Sequence, residues 1–223
     1  MERQFDEELS VLKSKLLKMA SLVETIIAES VKALVERDPA VTEKVWDEEN
    51  AINMLEIDID EFCHKLLALR QPMAVDMRFI TSAMKISNDL ERMGDLAINI
   101  VGRTTEVLKY PRLKPLIDIP QMAVLAQQMV RESINALVDR NSPLAREICK
   151  NDNKVDDLND QLFREILTYM IKDPKNIEIG LDFILIGRNL ERIADHATNI
   201  AEDVIYLVEG KTIKHHIEEK NKE

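Results

Sequence analysis

Leu90-Glu91-Arg92-Met93-Gly94-Asp95-Leu96-Ala97-Ile98-Asn99-Ile100 returns one hundred residues later as Leu190-Glu191-Arg192-Ile193-Ala194-Asp195-His196-Ala197-Thr198-Asn199-Ile200. Seven of the eleven positions are identical. Within each copy an acid, an Asp and an Asn follow one another at steps of four: Glu91, Asp95, Asn99 and Glu191, Asp195, Asn199. On an α-helix, steps of four put three polar side chains on one narrow stripe. The duplication predicts two equivalent helices, one per half, each bearing an oxygen-rich stripe suited to a cation.

Outward from these phrases the chain reads as helix. Ile80, Ala83, Ser87, Leu90, Gly94, Ala97 and Val101 form an apolar seam beside the first stripe. Ile184, Gly187, Leu190, Ala194, Ala197, Ala201 and Val204 repeat it beside the second. The small residues in both seams let a neighbouring helix backbone come close. Upstream, Phe5, Leu9, Leu12, Leu16, Met19, Val23, Ile26, Ser30 and Ala33 alternate by four and three over four heptads, as in a coiled-coil seam. Breaks at Pro39, Pro72, the proline-rich stretch 111–120, Pro143 and Asp173-Pro174, with a stop at Gly210, divide the chain into six helices, with the third expected over about 74–108, the fourth over 121–140 and the sixth over 176–208. Ala136-Leu137-Val138-Asp139-Arg140 echoes Ala33-Leu34-Val35-Glu36-Arg37. The expected fold is all-α: two tandem three-helix up-down-up bundles related by an internal repeat, at 1–110 and 121–209. The proline-rich stretch 111–120 links them, and a charged tail follows at 210–223.

Composition agrees and excludes alternatives. Only 4% of residues are aromatic and five are Gly, against an all-β chain. The formal net charge of −11 excludes nucleic acid as the expected partner. It also implies that any membrane contact runs through partners alone. The opening Met1-Glu2-Arg3-Gln4-Phe5-Asp6 lacks a signal peptide's apolar stretch, and two unpaired cysteines, Cys63 and Cys149, suit the reducing cytoplasm.

A second helix in each half offers partners for the stripes. The apolar pattern lapses at Asp47-Glu48-Glu49-Asn50, with Asn53 four residues after Glu49; Asp152 and Asp156 hold the equivalent places 103 residues on. Each half thus has two four-spaced pairs on antiparallel neighbours: Glu49/Asn53 with Glu91/Asp95, and Asp152/Asp156 with Glu191/Asp195. Asn99 and Asn199 stand by as further support. Oxygen-only sets suit hard cations such as magnesium, calcium, manganese and ferric iron. Isolated acid pairs of this kind are ordinarily solvated helix faces; duplication argues otherwise, more strongly in the second half, where no Asn replaces an acid. Glu61-Phe62-Cys63-His64 matches one Glu-x-x-His element of di-iron bundles but has no second, so a di-metal oxidase or phosphohydrolase is the weaker alternative. A purely structural scaffold is the other. His215 and His216 lie in the tail and promise no specific chelation.

The turn from Arg70 to Arg78 sets two arginines and Asp76 about Pro72. Asp76 suits the first turn of a helix, or the three charges form a partner contact. This Arg-x-Pro-x-Ala-x-Asp-x-Arg turn, the tandem three-helix repeat, the doubled acid-x-x-x-Asp stripe and the closing Tyr206-to-His215 segment resemble the PhoU family of phosphate-transport accessory proteins. The resemblance implies a cytoplasmic, commonly dimeric regulator and not a catalyst. It implies partners in the ATPase subunit of a phosphate ABC transporter and a phosphate-sensor histidine kinase, with uptake and the starvation response restrained. It implies metal clusters (iron, magnesium, manganese or zinc) on the paired motifs, Asn53 being a departure from them.

Overall fold

The computed structural model describes residues 2–38 and 40–210. The expected tail, with His215 and His216, lies outside them, as does Pro39. The described residues form six long helices and one short 3-10 turn, with no strand: α1 Glu2–Glu36, α2 Val41–Arg70, α3 Ala74–Val107, α4 Asp118–Asp139, α5 Ser142–Lys172 and α6 Ile177–Glu209, the turn being Pro174–Asn176. The all-α expectation and the internal repeat hold.

Helix ends follow local chemistry. Arg37 and Arg140, the last residues of the echoed phrases, both take left-handed backbone conformations, with φ of 59° and 50°. They end α1 and α4 in the same way. Asn141 then caps α5, its side chain accepting from the Leu144 amide at 3.0 Å, with Pro143 in the first turn. Gly210 closes α6 at φ 69°. One boundary differs from expectation. Helix α4 starts at Asp118, not Gln121, so three residues of the expected linker are helical. Pro120 does not prevent this, because the amides of a first turn have no intrahelical partner to lose.

A non-glycine residue held in the left-handed region costs roughly 1 kcal/mol. Arg140→Gly is therefore expected to raise stability by about 0.5 kcal/mol after the entropy of the extra glycine is set against the relief. Arg37→Gly is expected to lower stability, because the Arg37 guanidinium donates to the carbonyls of Leu108 at 3.0 Å and Tyr110 at 2.6 Å. Thermal unfolding of the two variants checks the opposite signs.

The helices pack as a layer in the order α5, α6, α3, α2, with α4 and α1 laid side by side over one face. Helices α3 and α6 meet at the centre and run antiparallel. Arg103 contacts Asp182 at 3.5 Å, the imidazole of His196 hydrogen-bonds Asp89 at 2.8 Å, and Lys85 lies 3.9 Å from Asp203. Across the covering pair, Arg131 donates to Glu24 at 2.8 Å. The two bundles therefore share one continuous core, running from Leu12 and Val23 through Ile80, Leu90 and Met93 to Leu190 and Val204. The segment between them is packed down as well. Arg112 donates to the Val35 carbonyl at 3.4 Å, the Tyr110 hydroxyl meets Glu178, and the Lys114 ammonium is buried against Asp118 and Glu165.

Candidate metal centres on the paired carboxylates

Two glycines set how α5 meets α6. A Cβ on Gly187 would stand 2.6 Å from Leu162 Cδ2 and 2.8 Å from Asn159 Oδ1, and one on Gly180 would stand 2.8 Å from Met170 Cγ and 3.2 Å from Ile166 Cγ2. The small-residue seam does permit close approach, and these contacts fix an antiparallel register. Carried along the helices, that register sets Asp156 level with Glu191 and Asp152 level with Asp195.

Electrostatics report the same meeting. Burial, followed by the charges of Asp195 and Asp156, pushes the Asp152 carboxyl up from 3.8 to about 6. Burial and then Asp195 raise Asp156. Burial and then Asp195 and Asp156 raise Glu191, with Arg188 and Arg192 opposing. Asp152 Oδ1 and Thr198 Oγ1 are buried without a hydrogen bond of acceptable geometry, although Thr198 lies close enough to offset part of the upward shift of Asp152.

The first half is assembled from α2 and α3. Gly94 packs against Ile52, 3.4 Å from the Cδ1 atom to the place a Cβ would take. Glu49 is buried and accepts from Asn53 Nδ2 at 2.6 Å, leaving Asn53 Oδ1 and the neighbouring Glu48 Oε2 buried without partners. Burial, then Asp95, raises the Glu91 carboxyl; Glu56 and Glu49 contribute further. Asp95 and Asn99 are exposed. Asn199 is half-buried and lines an open groove between α2, α3 and α6 with Glu56, Asp60, Lys85, Asp89 and Asp203.

Sequence reading passed over Glu56 and Thr198. Glu56 continues the Glu49–Asn53 stripe at the next turn, a spacing open to view in the chain. Thr198 gave no such signal, since only the approach of α5 brings it near Asp152. His196 stands beside the second stripe but is engaged with Asp89 of α3. His64 turns back to the Asp60 carbonyl at 3.0 Å. Burial raises the thiol of Cys63 to about 12 and of Cys149 to about 11, so both stay protonated and unreactive at neutral pH.

As placed, no three His, Cys, Asp or Glu side chains among the described residues gather tightly enough to hold a metal ion. Bare carboxylates repel one another, and that repulsion adds to burial in raising their pKa values. The donors nevertheless fit a hard cation in kind. They are oxygens on two facing helices, and Asp152 and Asn53 each bring a buried oxygen lacking a partner.

The Arg70–Arg78 turn is largely tied down. The Arg70 guanidinium grips Glu8 with two hydrogen bonds, at 2.8 and 2.7 Å. Asp76 sits in the first turn of α3, and Arg78 is half-buried with its Nε lacking a partner. Leu69, Met73, Val75 and Met77 are exposed around them.

Comparison with known proteins matches a PhoU domain twice, over residues 16–104 and 119–204, each match taking in most of one three-helix unit. The chain belongs to the PhoU family. A phosphate-specific transport system accessory protein PhoU homolog from Aquifex aeolicus is 40% identical, the alignment covering 96% of this chain and 97% of that one. The homolog from Pseudomonas aeruginosa is 38% identical over 96% and 89%. The crystal structure of PhoU from Pseudomonas aeruginosa superposes with a TM-score of 0.89 at 38% identity, covering 93% of this chain and all (100%) of that one. That of the phosphate transport system regulatory protein PhoU from Streptococcus pneumoniae gives 0.86 at 30% identity, over 94% and 99%. No helix among the described residues is long and apolar enough to cross a membrane.

Proposed function

We propose that this PhoU-family chain is a regulatory adaptor that restrains phosphate uptake and the phosphate-starvation response. It acts by contact, not catalysis. Its partners are the ATPase subunit of a phosphate ABC transporter and a phosphate-sensor histidine kinase, and it works as a homodimer in the cytoplasm, reaching the membrane only through them. The observation that carries this reading is the doubled PhoU match over nearly the whole chain, supported by relatives named as transport-system accessory proteins.

The paired motifs are the metal sites of the proposal: Asp152/Asp156 with Glu191/Asp195, and Glu49/Asn53 with Glu91/Asp95, for iron, magnesium, manganese or zinc. Bound ions would neutralise the mutual repulsion of the carboxylates. The mutual upward shifts of Asp152, Asp156 and Glu191 support this assignment.

Immobilised protein is expected to retain the purified transporter ATPase and the cytoplasmic region of the kinase, each separately. Retention of neither would end the adaptor reading. The Arg70–Arg78 turn is offered as one contact, its exposed apolar rim and Asp76 being the parts not already engaged with Glu8. Asp76→Arg should weaken retention of one partner and leave unfolding temperature within a few degrees of wild type.

A further inference from the structure

The register fixed by Gly180 and Gly187 has a consequence nearer the α5–α6 turn. It sets Ile171 level with Ile177, Leu167 with Leu181, and Phe163 with Leu185. On each helix these residues recur every four positions, and all six are exposed, from 38% at Leu185 to 75% at Ile171. Projected about the two helix axes, both stripes fall on the same side of the hairpin, away from the covering helix α4. The result is an apolar strip about 12 Å long, two helices wide.

The duplicated half lacks it. The equivalent positions there hold Asp60, His64, Ala68, Met77, Thr81 and Lys85. A scaffold requirement common to both halves would place similar residues in both. Six apolar side chains left in water on one copy alone mark a contact specific to it.

Charge identifies what covers the strip. Along the same face, two turns beyond Phe163 and Leu185, lie Asp156 and Glu191, then Asp152, Asp195 and Glu202. Asp160 stands at the border. Arg164, Arg188 and Arg192 offset only part of this, and Arg164 is committed to Asp160 at 3.4 Å. An occupant lying along the α5–α6 groove therefore meets apolar surface first and excess carboxylate next.

We propose that the outer face of α5–α6 is a docking surface for an amphipathic helix of a partner protein. The apolar part of that helix covers the six-residue strip, and its basic end lies over the adjoining acids. From Ile171 to Asp152 is 19 residues of helix, about 28 Å, so an occupant of roughly 19 residues spans both regions. The proposal concerns the metal-free protein, because a cation on Asp152, Asp156, Glu191 and Asp195 would compete with the basic end for the same oxygens; it is tested in metal-free buffer so that the two readings fail separately.

The probe is a synthetic 20-residue helical peptide, with Leu in the i, i+3, i+4 pattern along one half and Lys along the other. A second peptide carries Glu in place of Lys. Fluorescence anisotropy should show the Lys peptide binding at least 10-fold more tightly than the Glu peptide. Amide shift perturbations should map to Phe163, Leu167, Leu181 and Leu185. Leu167→Asp/Leu181→Asp should weaken binding at least 10-fold, and Ile171→Asp, at the most exposed of the six positions, should weaken it several-fold with the fold intact by circular dichroism. His64→Asp/Thr81→Asp, at the matching places in the first half, should leave it unchanged. Equal binding of both peptides, shifts confined to other helices, or full binding by the strip variants would overturn the proposal. So would strip variants that turn a dimer into a monomer yet still bind the peptide, because a second copy would then be the occupant.

Discussion

Lys114→Met is expected to destabilise the protein by about 3 kcal/mol, lowering its melting temperature by roughly 6–12 °C. The Lys114 side chain is 1% exposed and its ammonium lies 3.0 Å from Asp118, itself 4% exposed. It also meets Glu165, which is 38% exposed. Methionine keeps the length of the stem and removes only the charge. Glu165 can then turn to water, but Asp118 is left buried as an anion with one remaining donor, the Gln161 amide at 3.1 Å. Stranding one charge of a buried pair costs more than the pair itself contributes. The double variant Lys114→Met/Asp118→Asn should therefore recover most of the loss, whereas Glu165→Gln should cost under about 1 kcal/mol. Thermal and urea unfolding of the three proteins decides it. A Lys114→Met protein as stable as wild type would mean that the segment between the bundles is not held by this cluster.

A cation that fits the second carboxylate cluster should raise the melting temperature by roughly 5–11 °C at a hundredfold excess over its dissociation constant, from about 2.7 kcal/mol of linkage. Asp195→Ala should abolish that gain while making the metal-free protein more stable, because Asp195 is the largest charge acting on Asp152. Burial, and then the same crowding, set the pH dependence. The folded-state pKa of Asp152 is raised from 3.8 to about 6, so the fold favours its neutral form. The stabilisation from that form is complete below about pH 3.8 and is lost as pH rises through about 6. At about 1.4 kcal/mol per pH unit, discounted for partial solvation of the site, the metal-free protein at pH 7 bears about 1–2 kcal/mol from this residue. Protons and cations compete for the same oxygens, so metal affinity should fall as pH drops below 6. Titration calorimetry at pH 5 and pH 7.5, with wild type and Asp195→Ala, measures both effects. Equal affinity at the two pH values, or an Asp195→Ala protein that still gains stability from metal, would remove these carboxylates from the ligand set.

Much of this molecule is written in short-range pattern. Helix boundaries at Arg37, Arg140 and Gly210, the seams through Leu90 and Leu190, and the stripes Glu91/Asp95 and Glu191/Asp195 all rest on spacings of three and four residues. A helix converts such spacings into faces without reference to the rest of the chain. Even the facing pairs at 49/53 and 152/156 were legible, because the repeat pointed to them twice. Glu56 was within reach of the same reasoning. The helical start at Asp118 was obscured by three prolines whose usual meaning is a loop.

Other features depend on which helices touch, and no local period carries that information. The sequence by itself determined six helices, a duplication and two oxygen-rich stripes. Tertiary packing decided that α3 and α6 meet back to back, engaging His196 with Asp89, and that Lys114 sinks between Asp118 and Glu165 instead of dangling in a linker. It also decided that Phe163 and Leu185, far apart in the chain, share one exposed strip. The physical reason is register. Gly180 and Gly187 let α6 settle against Met170 and Leu162 at one height, and a slide of one turn would break every pairing between α5 and α6 while leaving each helix unchanged.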